Sequence, residues 1–201
     1  MTFDAIRALA AYIEGECRPV DKFGHQPRLE VLTRVIGAEL PHDPEVVSAA
    51  AWLHDLGVFI GQRPEDPERL AQWDHVAHAC ARGPEILRRC GFPEEKIPAV
   101  LAAIRQHQPK DDPTTPEATI LRDADILEQL GAIGILRTVS KVGRDTRFVR
   151  FTDAVRVLRR NLEELPSKIR LESTRQLAAS RITILREFLH AVDDESGSNL
   201  F

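Results

Sequence analysis

Apolar residues return every three or four positions along most of this chain, and no stretch alternates apolar and polar residues as a half-buried strand would. That period commits the chain to helices. Residues 2–15 carry Phe3, Ile6, Leu9, Ala10 and Ile13 at helical spacing, and a second stretch places Leu29, Leu32, Val35, Ile36 and Leu40 on one face. Pro27 suits the first turn of that second helix, which sets His25 just before or at its start. Asp43 caps a third helix, in which Val46, Val47, Ala50, Trp52 and Leu53 lead to His54-Asp55. Residues 57–74 are rich in Pro, Gly and charge and read as an exposed loop over one end of the bundle.

Beyond that loop, Asp74, His75 and His78 open a helix that runs through Ile86 and Leu87 to Gly91. Pro93 starts another, with Ile97, Val100, Leu101 and Ile104 inward and His107 closing it. A turn-rich connector, 109–116, carries Lys110, and from Glu117 the chain is helical again through Ile120, Leu121, Ala124, Ile126, Leu127 and Leu130. Gly131 and Gly134 allow a bend or a close approach. After a basic, irregular stretch at 141–150 come two amphipathic helices, about 152–164 and 168–192, separated at Pro166, and a frayed tail from Asp193. The expectation is an all-α, single-domain helical bundle spanning 1–201.

Composition agrees. Aromatics make up 5% of the 201 residues and the hydrophobic fraction is 43%, mostly aliphatic and Ala, which suits helix-on-helix packing better than a β-sandwich. A net charge of −4 argues against an extended nucleic-acid surface. Cys17, Cys80 and Cys90 form no C-x-x-C pair and read as small core hydrophobes of a reducing compartment. No window reaches the ~18–20 apolar residues of a membrane span, and the N-terminus lacks a basic leader, so a cytoplasmic protein is expected.

The chemistry gathers at helix ends. His54-Asp55 puts two strong metal ligands side by side in an otherwise apolar helix, and a divalent cation offsets the cost of burying the carboxylate. His25, His75 and His107 also sit where apolar helical patterns start or stop, and Asp123 and Asp125 lie inside the helix that follows. Imidazole and carboxylate together suit Mn, Fe, Co, Ni or Zn better than Mg. One ion would take His25, His54, Asp55 and Asp125; a second would take His75 and His107, with Asp55 bridging. Spacing alone does not choose between Asp123 and Asp125.

At this point the chain resembles a known family. His25, His54-Asp55 and Asp125 are similar to the H…HD…D signature of HD-domain metal-dependent phosphohydrolases, and His75 and His107 complete the longer pattern of binuclear members. The stretch from Asp123 to Gly134 resembles the D-A-D-x-L-x-x-L-G-A-I-G motif of a small single-domain prokaryotic subfamily. The likeness covers about residues 20–140 as the metal-site core and extends to the C-terminal helices. It selects Asp125 as the ligand. The sequence departs at Ile126, where many relatives have Arg, and at Glu128, where many have Asp.

The resemblance implies hydrolysis of a phosphoester or phosphoanhydride of a nucleotide or related phosphorylated metabolite, by water activated on one or two divalent ions. Asp55 would hold that water, and Asp123 and Glu128 are candidates for proton transfer, with Asp123 also suited to orienting an imidazole N–H. Arg28, Lys110, His78 and Arg122 are the candidate substrate-binding residues, with Arg122 and Lys22 the weaker. His42 and His190 read as surface or helix-end residues. Two rival readings are a di-iron oxygenase on the same scaffold and a nucleotide-binding module without turnover. Monomer and homo-oligomer stay open.

Overall fold

Asp43-Pro44 shows how this chain starts its helices. The Asp43 carboxylate accepts from the N–H groups of Glu45 (3.0 Å) and Val46 (3.4 Å), meeting two of the donors that a helix start leaves unpaired. Pro44 occupies the first helical position, where its missing N–H costs nothing. Asp74 caps the helix at His75 in the same way, through the Ala77 N–H at 2.9 Å.

In the computed structural model, residues 2–197 and 199–200 are described, without the side chains of Thr2, Phe3 and Asp21. The expected apolar position at Phe3 therefore lies outside the described side chains. The helices are α1 (Thr2–Glu16), α2 (His25–Gly37), α3 (Pro44–Leu53), α4 (Pro67–Ala71), α5 (His75–Arg89), α6 (Ile97–Arg105), α7 (Pro116–Glu128), α8 (Gly131–Val139), α9 (Phe151–Glu164) and α10 (Glu172–Ser196). Single 3₁₀ turns stand at Val20–Lys22, Leu56–Val58, Glu94–Lys96 and Pro166–Lys168. Among the described residues there is no strand, only an isolated bridge between Ile60 and Arg63. The all-α expectation holds.

The helices form two compact units, residues 1–124 and 125–201, and the division falls inside the continuous helix α7. In the first unit α3 is the central element. Val46, Val47, Ala49, Ala50, Ala51, Trp52 and Leu53 are all buried, because α1, α2 and α6 pack around it and α5 packs on α6. Residues apolar on every side are what a helix with three neighbours requires. Two contacts tie the start of α7 and the preceding connector into this unit: Glu117 accepts the Asp43 N–H at 2.9 Å, and the buried Arg122 donates to the carbonyls of Gln108 and Pro109.

In the second unit α8, α9 and α10 pack on one another. Gly131 turns the chain from α7 into α8 with φ +66°, and a Cβ there would stand 2.9 Å from that of Arg181 on α10. The same Arg181 donates to the Leu127 carbonyl at 2.6 Å, meeting one of the acceptors that the end of α7 leaves unpaired.

Three local expectations change. Val35 is 52% exposed, since it lies about 240° around the helix from Leu29, and the buried face of α2 uses Thr33 and Ile36 instead. The 57–74 stretch contains the 3₁₀ turn and α4, and it sends Phe59 fully into the core, so it is only partly an exposed loop. The chain past Asp193 stays helical to Ser196.

Asp43→Ala should lower stability by about 1 kcal/mol at neutral pH, as loss of a helix cap does, read as a lower denaturation midpoint. Burial raises the Asp43 pKa, but the Lys96 ammonium at 2.7 Å and the two helix N–H groups outweigh it and hold the carboxyl below its ordinary value. A group depressed in the folded state stabilises above its unfolded value of about 4 and loses that contribution as pH falls through the folded value. The gap between wild type and variant should therefore close in acid.

Candidate metal centre

Two helix C-termini and two helix N-termini deliver the histidines. His54 follows the last residue of α3, donates its own N–H to Ala50 O at 2.9 Å, and is fully buried. Its Nδ1 lies 3.0 Å from the carbonyl of Ala51. A carbonyl only accepts, so Nδ1 carries the hydrogen and Nε2 is left with its lone pair. His107, just beyond α6 and 2% exposed, repeats this arrangement with its Nδ1 2.6 Å from Ile104 O. In both cases the acceptor is three residues back, one of the last-turn carbonyls that a helix cannot satisfy itself. His25 and His75 are the first residues of α2 and α5.

Asp55 turns the chain out of α3 into the 3₁₀ turn, and its side chain is 18% exposed. Its Oδ2 lies 3.6 Å from Nε2 of both His25 and His54, and those two nitrogens are 3.3 Å apart. Three electron-pair donors thus face one another across separations of 3.3–3.6 Å. Ligands on one ion at ~2.1 Å stand about 3.0 Å apart when octahedral and about 3.4 Å apart when tetrahedral. The donor set therefore fits a divalent transition ion. His54, Asp55 and His107 each bring a ligand atom within 4.8 Å of the others, and Asp125 is carried, half-buried, on α7. The His54 and His107 rings meet edge-on at 4.9 Å, and His75 extends the row with its ring 6.2 Å from that of His107.

The backbone after Asp55 positions His75, and Gly57 is the reason. A Cβ on Gly57 would stand 2.6 Å from the His75 carbonyl oxygen and 2.7 Å from its Cα, a separation only glycine allows. The Gly57 carbonyl accepts from the Trp73 indole at 2.7 Å, and the next carbonyl, Val58 O, accepts from Lys22 Nζ at 2.9 Å. The turn carrying Asp55 is thus pinned on both sides. Sequence reasoning did not single out Gly57 or Trp73; the signal was a glycine two residues beyond the His-Asp pair.

The remaining candidates separate. Arg28 is half-buried on α2, one turn after His25, and Lys110 is exposed on the connector after His107. His78 is bound to Gln62 Oε1 at 2.9 Å beside the Trp73 ring, and burial, then the charge of Arg82, lowers its pKa. Arg122 is 3% exposed and holds the 108–109 carbonyls, so it braces the connector and does not open toward a substrate. Asp123 is fully buried, 3.6 Å from Arg122. Glu128, 1% exposed, lies 3.6 Å from Arg137, whose guanidinium also donates to its carbonyl. His190 is exposed and pairs with Asp194, while His42 donates to Leu40 O. Cys17, 1% exposed, has its thiol pushed up to about 12 by burial and then by the nearby Asp55 charge.

Comparison with known proteins bears on the domain and the fold. The family model for the HD domain matches residues 23–130. Similar solved structures include YpgQ from Bacillus subtilis, 19% identical over 98% of both chains with a TM-score of 0.75. YpgQ in complex with ADP is 21% identical over 98% of both chains, with a TM-score of 0.74. An HD-superfamily hydrolase from Bacillus thuringiensis is 18% identical over 98% of this chain and 100% of its own, with a TM-score of 0.72. A search of curated proteins gave no match.

Gly57→Ala should move His75 away from His107 while leaving His54 at the end of α3. Metal binding should weaken by about 10–100-fold, the range for disturbed outer-shell support, measured by calorimetric titration with Mn. Unchanged affinity and stoichiometry would show that the close approach of Gly57 does not matter to the centre.

Proposed function

Because this chain belongs to the HD domain family, we propose that it is a metal-dependent phosphohydrolase acting on a nucleotide or a similar phosphorylated metabolite. The observation that carries this reading is the convergence of His25 Nε2, His54 Nε2 and Asp55 Oδ2 within 3.6 Å, with His107 beside them. His25, His54, Asp55 and Asp125 would hold the first ion, and His75 and His107, with Asp55 shared, a second. When bound, a divalent transition ion supplies a water acidic enough to ionise near neutral pH and positive charge for a phosphate oxygen.

The chain's own groups set the rest. The carbonyls of Ala51 and Ile104 hold the imidazoles in the tautomer that turns Nε2 toward the centre. Helix C-termini place negative dipole ends behind His54 and His107, which favours a cation, and the positive N-terminal ends at His25 and His75 favour the phosphate. Arg28, one turn after His25 on α2, and Lys110, on the connector after α6, would meet that phosphate. Asp123, sealed from solvent, would orient a neighbour and not meet substrate, and Glu128, buried beside Arg137, would be the weaker candidate for proton transfer. The nucleotide preference draws support from the ADP bound by the similar Bacillus subtilis protein.

Elemental analysis of the purified protein, followed by phosphate release from a nucleotide panel with Mn, Co, Ni and Mg under anaerobic conditions, tests the reading. Turnover with transition ions should fall to background in Asp55→Ala while the helical circular dichroism is retained. Full activity in that variant sinks the mechanism, and dioxygen consumption by iron-loaded protein would transfer the site to oxygenase chemistry.

A further inference from the structure

Glu16 ends α1 with a carboxylate, where the helix dipole disfavours an anion. Its Oε2 accepts from the side-chain amide of Gln62 at 2.5 Å, and Gln62 Oε1 in turn lies 2.9 Å from Nε2 of His78. A carboxylate only accepts, so the amide nitrogen must face Glu16 and the amide oxygen must face His78. That oxygen also only accepts, so Nε2 of His78 carries a hydrogen and donates it. The direction of the whole chain is thus set at its far end by Glu16, 46 residues before Gln62.

Both ends of this chain are anchored. The Gln62 backbone N–H donates to Phe59 O at 3.0 Å, and Phe59 is fully buried. His78 stands one turn after His75 on α5, with its ring 5.0 Å from that of Trp73. Trp73 donates its indole N–H to Gly57 O, two residues beyond Asp55. His78 therefore joins the first turn of α5 to an amide tied into the core and to an indole bonded to the turn that follows Asp55. Of the residues assigned to the two ions, His75 alone is carried on α5.

We propose that His78 is a positioning residue for the second ion. Through Gln62 and Glu16 it holds the start of α5 against the Gly57 turn, and His75 keeps its place beside His107. The inference rests on the two-ion reading of the centre. His25 and His54 belong to α2 and the end of α3, so the first ion does not depend on this chain.

The test uses whole protein freed of metal by chelation and titrated with Mn. Calorimetry counts the ions, and electron paramagnetic resonance reports whether two of them are spin-coupled. Wild type should take two ions and give the coupled signal. His78→Ala should weaken the second ion by about 10–100-fold, as loss of a group supporting a ligand does, and should remove the coupled signal at two equivalents. The first ion should bind as before. His78→Gln keeps an N–H donor for Gln62 Oε1 and should restore the second ion and its signal. Glu16→Gln, a milder change, lets the Gln62 amide turn over and should weaken the second ion in the same direction. The proposal is overturned if wild type takes one ion only, or if His78→Gln is no better than His78→Ala. It is equally overturned if either His78→Ala or Glu16→Gln, with native circular dichroism, binds the second ion as wild type does. Every readout here is ion binding, so two-ion wild-type protein that releases no phosphate would count against the proposed reaction alone.

Discussion

An imidazole and a carboxylate at the end of a buried helix are the constraint on which the rest of this structure depends. His54 has no solvent exposure, and Asp55 keeps only a fifth of its side chain in water. Burying an ionised carboxylate without compensation costs several kcal/mol. The fold could have discarded that cost with two more apolar residues. It instead brings His25 Nε2 to 3.6 Å from the same carboxylate oxygen and sets a second histidine, His107, against the His54 ring. The arrangement makes energetic sense around a cation and little sense without one.

Ligand orientation is achieved with backbone groups that helices produce at no added cost. The last turn of any helix leaves carbonyls unpaired, and here those of Ala51 and Ile104 each take the Nδ1–H of a histidine three residues on. One geometry thus satisfies an orphan acceptor, selects the tautomer and aims Nε2. Two helices ending in the same motif, and two others beginning at histidines, make the centre a meeting point of helix termini in which the dipoles support the proposed charges.

Closeness of backbone does the remaining work. His75 reaches its place only because Gly57 has no side chain, and Trp73 and Lys22 hold the two carbonyls of that turn. The loop over the site is therefore not a loose cover. Phe59 anchors it in the core, and its 3₁₀ turn continues the rigid stretch that carries Asp55. Residues that looked available for substrate in the linear chain, Arg122 and His78, are engaged in holding the connector and the loop, since a long polar side chain in a partly buried place must be hydrogen-bonded.

The all-α class, the helix starts at Asp43 and Asp74, and the inward faces of α3, α6 and α7 were determined by the sequence alone, because local periodicity and capping chemistry act within a few residues. So was the association of His25, His54, Asp55 and His107 with helix ends. What only the tertiary structure decided was distance. Spacing along the chain does not say that two imidazole nitrogens face each other at 3.3 Å, that Val35 turns outward, or that Gly57 touches His75. Those facts arise where separate helices pack, and packing is resolved by the shapes of all the neighbours at once. The same holds for Trp52: a tryptophan in an apolar helix reads as core, and only the packed neighbours show that its N–H has no acceptor among the described residues.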